Sequence, residues 1–170
     1  VRDASTSEET YMEVIRGKTA MLFEASTHSA AALAGATPEQ SEALRTFGDH
    51  LGVAFQLVDD LLDYRGDAET LGKNVGDDLA EGKPTLPLIY TMREGTPEQA
   101  ALVRKAIQKG GIEDLESIRA AVEASGSLEY TAQLARDYVA RAIVCLEALP
   151  PSEYRDALVE LSEFAVARTH

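Results

Sequence analysis

Apolar residues recur every three to four positions along almost the whole chain, the spacing that lines one face of an α-helix. The segment SEETYMEVIRGKTAMLFEAST opens with Ser7 as an N-cap and acids in the first turn. Its apolar positions Tyr11, Val14, Ile15, Met21 and Leu22 fall at helical spacing. An Ala-rich segment, SAAALAGA, comes next and stops at Gly35. Thr37 and Pro38 then form a cap and first-turn pair that starts a long helix running to about Tyr64, with Leu51, Phe55, Val58 and Leu62 as its apolar stripe. From Arg65 to Lys83 the chain is rich in Gly and Asp without a sustained period, which predicts a loop holding at most a short helical turn. Further helices are predicted over PTLPLIYTMREG, TPEQAALVRKAIQKG, IEDLESIRAAVEASG, SLEYTAQLARDYVARAIVCLEAL and SEYRDALVELSEFAVA. Nothing alternates with period two for long enough to predict a strand, and no repeat or low-complexity tract appears. The predicted fold class is all-α.

Composition bounds what such a bundle does. The chain has 170 residues, enough to bury a core as one domain. Lys and Arg number 16 against 29 Asp and Glu, a formal charge of −13, which disfavours nucleic acid and anionic lipid as partners. A small phosphorylated substrate then needs clustered lysines or a bridging cation. The lone Cys145 has no internal disulfide partner, fits a reducing compartment, and is expected to pack as an apolar helix residue. No apolar run approaches the roughly 18 residues that span a bilayer, and no signal-peptide pattern opens the chain, so the expectation is no transmembrane segment and a cytoplasmic location. The first residue is Val1 rather than Met, which raises the expectation of a processed or partial chain.

The chemistry concentrates in GVAFQLVDDLLDYRGDAETLGKNVGDDLAEGKPTLPL. On a helix, Asp59 and Asp63 lie four apart and Asp60 and Asp63 three apart, so their carboxylates share a face, with Gln56 one turn earlier. A solvated acidic face accounts for such a run in many proteins. Three features favour a cation site instead. The flanking Phe55, Leu57, Val58, Leu61 and Leu62 are apolar, and no Lys or Arg stands three or four residues away. The acids are also short aspartates, and oxygen-only ligands on one face suit Mg²⁺ completed by substrate phosphates. Lys73 and Lys83 come directly after glycines in the next loop, and Lys18 with Thr19 sits on the first helix. Taken singly each lysine reads as a solvated surface residue; taken with a cation site they make a diphosphate pocket. Asp77 and Asp78 are placed to orient those lysines or to hold cation-bound water. A Ca²⁺ loop of the EF-hand type lacks its glycine and terminal Glu here. His28, His50 and His170 have no constellation around them.

LGVAFQLVDDLLD, with GKNVGDDLAEGKPTLPL after it and YMEVIRGKTAMLFEAS before it, resembles the second aspartate-rich region of the trans-isoprenyl diphosphate synthases, the polyprenyl synthetases. The likeness runs over essentially the whole chain and is nearest to the bacterial long-chain type that makes octaprenyl diphosphate for the ubiquinone side chain. It implies a helical isoprenoid-synthase bundle and a prenyltransferase that condenses an allylic diphosphate with isopentenyl diphosphate. It further implies that Asp59, Asp60 and Asp63 hold Mg²⁺, with Asp59 the most direct ligand. Lys18, Lys73 and Lys83 would grip the allylic diphosphate, and Thr19, Gln56 and Lys18 would face the ionising carbon. Homodimers are common in that family.

One departure is large. The family's first D-D-x(2–4)-D motif and its isopentenyl diphosphate site have no counterpart here, because the two D-D pairs, Asp59-Asp60 and Asp77-Asp78, both belong to the second region. The likeness is to the C-terminal half of the family pattern. The leading expectation is a fragment of a full synthase, unable alone to condense isoprenoids and prone to self-association through an uncovered apolar face. The alternative is a non-catalytic helical subunit or scaffold that partners a chain carrying the first motif. Product length is not legible in these residues.

Overall fold

The computed structural model describes residues 2–65, 76–110 and 113–167. Every regular element among them is helical, as the apolar spacing predicts. Helix α1 spans Glu8–Ile15, a π-helical turn Arg16–Ala20, α2 Met21–Leu33, α3 Pro38–Arg65, α4 Asp77–Ala80 and α5 Leu86–Glu94. Then come α6 at Pro97–Lys109, α7 at Leu115–Ala124, α8 at Ser127–Cys145, a 3₁₀ turn at Leu146–Ala148, and α9 at Glu153–Ala167. No helix among the described residues is long and apolar enough to cross a membrane.

Local chemistry accounts for the starts. The Ser7 hydroxyl accepts from the Thr10 amide at 3.1 Å. At α3 the Thr37 hydroxyl accepts from the Gln40 amide at 3.2 Å while the Gln40 side chain accepts from the Thr37 amide at 3.1 Å. The same reciprocal box forms between Thr96 and Gln99, with Pro97 in the first turn of α6. Each box satisfies two amides that a helix start leaves without partners.

Two expectations about faces are corrected. The first predicted helix and the Ala-rich segment are not separate pieces, since α2 runs unbroken from Met21 to Leu33. The break instead falls inside the predicted helix, at the π turn. An extra residue per turn there rotates everything downstream, so straight 3.6-residue spacing misplaces the side chains beyond it. Tyr11 and Ile15 are buried as expected, whereas Met21 is 62% exposed and Leu22 72%; Val14 is exposed as well. On α3 the stripe is also broader than predicted. Leu51 and Val58 are buried with Phe47, Val53, Ala54, Leu57 and Leu61, but Phe55 is exposed and Leu62 only half-buried.

The chain divides into two compact units. The first comprises residues 1–11 and 59–132 and is built on Leu61, Leu79, Leu88, Val103, Ile107, Ile118 and Val122. Within it, α5 packs on α6 and α7. The second comprises residues 12–58 and 133–170 and is built on Phe47, Leu51, Ala142, Leu146 and Ala165. Cys145 packs beside this second core, with its thiol donating to the Arg141 carbonyl at 3.3 Å, as expected for a structural cysteine.

Candidate active site

In the first unit the site is built on the last turns of α3. Asp60 is 3% exposed, and its Oδ2 accepts a 2.5 Å hydrogen bond from the Tyr11 hydroxyl. Tyr11 is itself buried, so two elements 49 residues apart in sequence are joined by one short contact. Asp63 is turned elsewhere: its Oδ2 accepts from the Asp78 amide at 3.3 Å, and its carbonyl accepts from the Gly76 amide at 3.1 Å. Gly76 makes that return possible, because its φ of 88° lies in the left-handed region. A Cβ there would also stand 2.6 Å from Leu115 Cδ1. Asp78 then holds Lys83, with Oδ1 2.9 Å from Nζ, and Glu81 holds the same ammonium at 2.8 Å. These two carboxylates, Glu81 foremost, push the Lys83 ammonium above its ordinary value. Asp78 therefore fills one of the roles its position in the sequence suggests: it orients a candidate lysine. Asp59 is half-buried on α3.

Burial, and then the charge of Asp78, push the Asp63 carboxyl up to about 6, against the opposing bond from the Asp78 amide. A carboxyl that binds its proton more tightly folded than unfolded adds stability that is full below about pH 4 and lost as pH rises through about 6. Asp63→Asn is accordingly expected to flatten the metal-free stability curve between about pH 4 and 6 by on the order of 1 kcal/mol, after discounting for solvent screening. Urea unfolding of both proteins across that range measures it; equal slopes would count against the assignment.

In the second unit the Thr19 hydroxyl donates to Gln56 Oε1 at 2.6 Å. Gln56 is buried and Thr19 half-buried. The contact is possible because the π turn and α3 approach closely. A Cβ on Gly52, one turn before Gln56, would stand 2.6 Å from Ala20 Cα, and one on Gly48 would stand 2.6 Å from the Phe23 carbonyl. Small residues at 48 and 52 thus let the backbones meet, and the pair one turn later falls into register. With its hydrogen committed to Gln56, Thr19 presents oxygen lone pairs to its surroundings. Lys18, on the same turn, is exposed. Lys73 lies outside the described residues. His50 sits edge-on to Tyr138 with ring centroids 5.6 Å apart, a packing contact beside Asp49.

The three α3 acids do not form a ready cage: among the described residues, no group of three or more His, Cys, Asp or Glu is placed to hold a metal ion. Asp60 points to Tyr11 and Asp63 to the Asp78 amide. An oxygen-only donor set with one or two carboxylates available nonetheless fits a hard divalent cation that keeps waters and takes its remaining ligands from phosphate. Sequence reasoning missed two features here. Helical spacing reads Tyr11 as core, and no local signal distinguishes it from any other buried tyrosine. The Gly48 and Gly52 pair is the other, and its four-residue spacing on a helix is a readable signal.

These features define a cluster of aspartates joined to Lys83 on an all-helical scaffold, and comparisons with known proteins show the family to which that scaffold belongs. The polyprenyl synthetase family model matches residues 1–125, and the chain belongs to that family. It is 53% identical over 169 residues to the octaprenyl diphosphate synthase of Escherichia coli strain K12, covering 99% of this chain and 52% of that protein. It is 52% identical over 163 residues to the geranyl-diphosphate-specific all-trans-nonaprenyl-diphosphate synthase of Rhodobacter capsulatus, covering 96% of this chain and 50% of that protein. Among solved structures it matches the polyprenyl synthase of Caulobacter crescentus complexed with calcium and isoprenyl diphosphate. That match has a TM-score of 0.92 and 43% identity, over 99% of this chain and 52% of that one. The chain spans about half the length of the curated relatives it matches.

Proposed function

We propose that this chain supplies the C-terminal half of a trans-polyprenyl diphosphate synthase, the wall that holds the allylic diphosphate, and that octaprenyl diphosphate for a quinone side chain is the product. The observation that carries this reading is the link from Asp63 through Asp78 to Lys83. It joins the acidic end of α3 to a lysine twenty residues on, so that carboxylates and ammonium are positioned as one unit. Resemblance assigns Asp59, Asp60 and Asp63 to Mg²⁺, and Lys18, Lys73 and Lys83 to the diphosphate. The calcium and isoprenyl diphosphate in the Caulobacter relative support divalent-metal use.

Heterolysis of the allylic C–O bond sends the electron pair out with the diphosphate and leaves a carbocation. Mg²⁺, when bound, neutralises charge growing on the leaving group. Lys83, held by Asp78 and Glu81, would add its charge from a fixed position, and preorganised charge of this kind is a main source of rate acceleration. Thr19, with its hydrogen turned to Gln56, offers lone pairs to the cation. The double bond of isopentenyl diphosphate then closes the new C–C bond, and a proton leaves to the diphosphate. No general base among the histidines is required.

Two consequences are open to test. The 170 residues incubated alone with farnesyl diphosphate, isopentenyl diphosphate and Mg²⁺ are expected to give no product, and product is expected only when they are paired with a polypeptide that carries an upstream D-D-x-x-D. Robust turnover by the chain alone would overturn the half-wall proposal. Binding without turnover even when paired would favour the non-catalytic subunit instead. Self-association as a homodimer in the cytoplasm belongs to the same proposal. Leu161 and Phe164 support it, since they leave an apolar surface exposed on α9 beside Phe23 and Phe55.

A further inference from the structure

We infer that Tyr11 is a positioning residue for Asp60, acting on the cation site through the α3 carboxylate. The inference rests on the function proposed above. Three observations carry it. The hydroxyl meets Asp60 Oδ2 at 2.5 Å, the length of a charge-assisted O–H···O⁻ bond, which is roughly twice as strong as a neutral one. Both partners are buried, Tyr11 at 4% and Asp60 at 3% exposure, so neither exchanges this bond readily for water. And Tyr11 stands on α1, remote in sequence from α3, so the hydroxyl reaches Asp60 from outside the helix that carries the acids.

A carboxylate that loses one oxygen to a fixed donor loses its freedom to rotate about χ2, and the plane it presents to a cation is set before the cation arrives. Partners of this kind orient ligands and tune their donor strength, and removing them costs on the order of 10–100-fold in metal affinity. The bond also gives an ionised Asp60 a partner in the interior, where an unpaired charge would be costly. A merely structural tyrosine would lend stability to α1 and leave the metal site unmoved; the two roles separate experimentally.

The test titrates Mn²⁺ into the 170-residue chain, read by electron paramagnetic resonance as loss of the free-ion signal, for wild type, Tyr11→Phe, Asp60→Asn, the double variant and Asp59→Ala. Tyr11→Phe is expected to weaken Mn²⁺ binding about tenfold, and to change nothing further once Asp60 is Asn. Unaltered binding in Tyr11→Phe, or an equal loss in both backgrounds, overturns the positioning role while the site stands, provided Asp59→Ala still abolishes binding. Wild type that binds no Mn²⁺ overturns this inference, which needs a cation at these acids before phosphate joins them, while the half-wall proposal stands or falls on the paired-turnover test. A second measurement needs no substitution. The Tyr11 hydroxyl proton is expected far downfield in the wild-type proton spectrum and should shift when Mg²⁺ saturates the chain; a signal indifferent to Mg²⁺ overturns the inference.

Discussion

Asp59→Ala, made in a turning-over enzyme that contains this chain, is expected to lower kcat/KM by on the order of 10²–10³-fold, the scale on which removal of one preorganised charge acts. Its cost in stability should be smaller than that of Asp60→Ala. The contrast comes from burial. Asp60 is almost wholly enclosed, and its truncation strands the Tyr11 hydroxyl in the interior, which costs roughly 1–3 kcal/mol on top of any catalytic loss. Asp59 is half-buried, so its truncation leaves less of the surrounding structure without a partner. Steady-state kinetics and urea unfolding, run on both variants, separate the two effects. If Asp59→Ala retains activity within a few-fold of wild type, Asp59 is not the principal cation ligand and the assignment by resemblance fails at that position.

How far the sequence announces all this varies by element, and the variation has physical causes. Helix α3 is legible because its signals are local: a Thr-Pro cap, reciprocal bonds between Thr37 and Gln40, and a sustained apolar period. The expected end at about Tyr64 agrees with the observed Arg65. The π turn is not legible, since RGKTA carries no composition that distinguishes one extra residue per turn from a regular helix, yet that turn decides which way Met21 and Leu22 face. The candidate acids stand out as a set but are not ranked. Helical spacing treats Asp59, Asp60 and Asp63 alike, whereas the surroundings of Asp60 and Asp63 are fixed by Tyr11 and by the Asp78 amide, both remote in sequence. The Lys83–Asp78 contact spans five residues, outside any helical rule, and only the path of the chain after Gly76 brings it about. Product length is a different matter. Relatives named for octaprenyl and nonaprenyl products are 53% and 52% identical to this chain, so overall identity across these residues does not separate the two.

Gly52→Ala should destabilise the chain, while the chemically identical change at Gly17 should not. In a helix interior, Ala is favoured over Gly by about 1 kcal/mol, so propensity alone predicts a gain at both positions. Space decides otherwise at one of them. Nothing lies within 4 Å of a Cβ on Gly17, and the gain there stands. On Gly52 the new Cβ would meet Ala20 Cα at 2.6 Å, Ala20 Cβ at 3.0 Å and Phe23 Cβ at 3.1 Å. The first of these is backbone, and no rotamer change relieves it. The π turn and α3 must separate, and overpacking of this kind costs typically about 1–3 kcal/mol, which exceeds the propensity gain. The same separation acts on chemistry, because Gln56 is one turn beyond Gly52 and Thr19 is next to Ala20, and the 2.6 Å bond between them depends on that close approach. Gly52→Ala should therefore lose both unfolding free energy and kcat in a turning-over enzyme, with Gly17→Ala holding or raising the first and sparing the second. Equal stability changes at the two glycines would show that the helices are not held apart by the added carbon, and the link from small residues to the Thr19–Gln56 pair would fall.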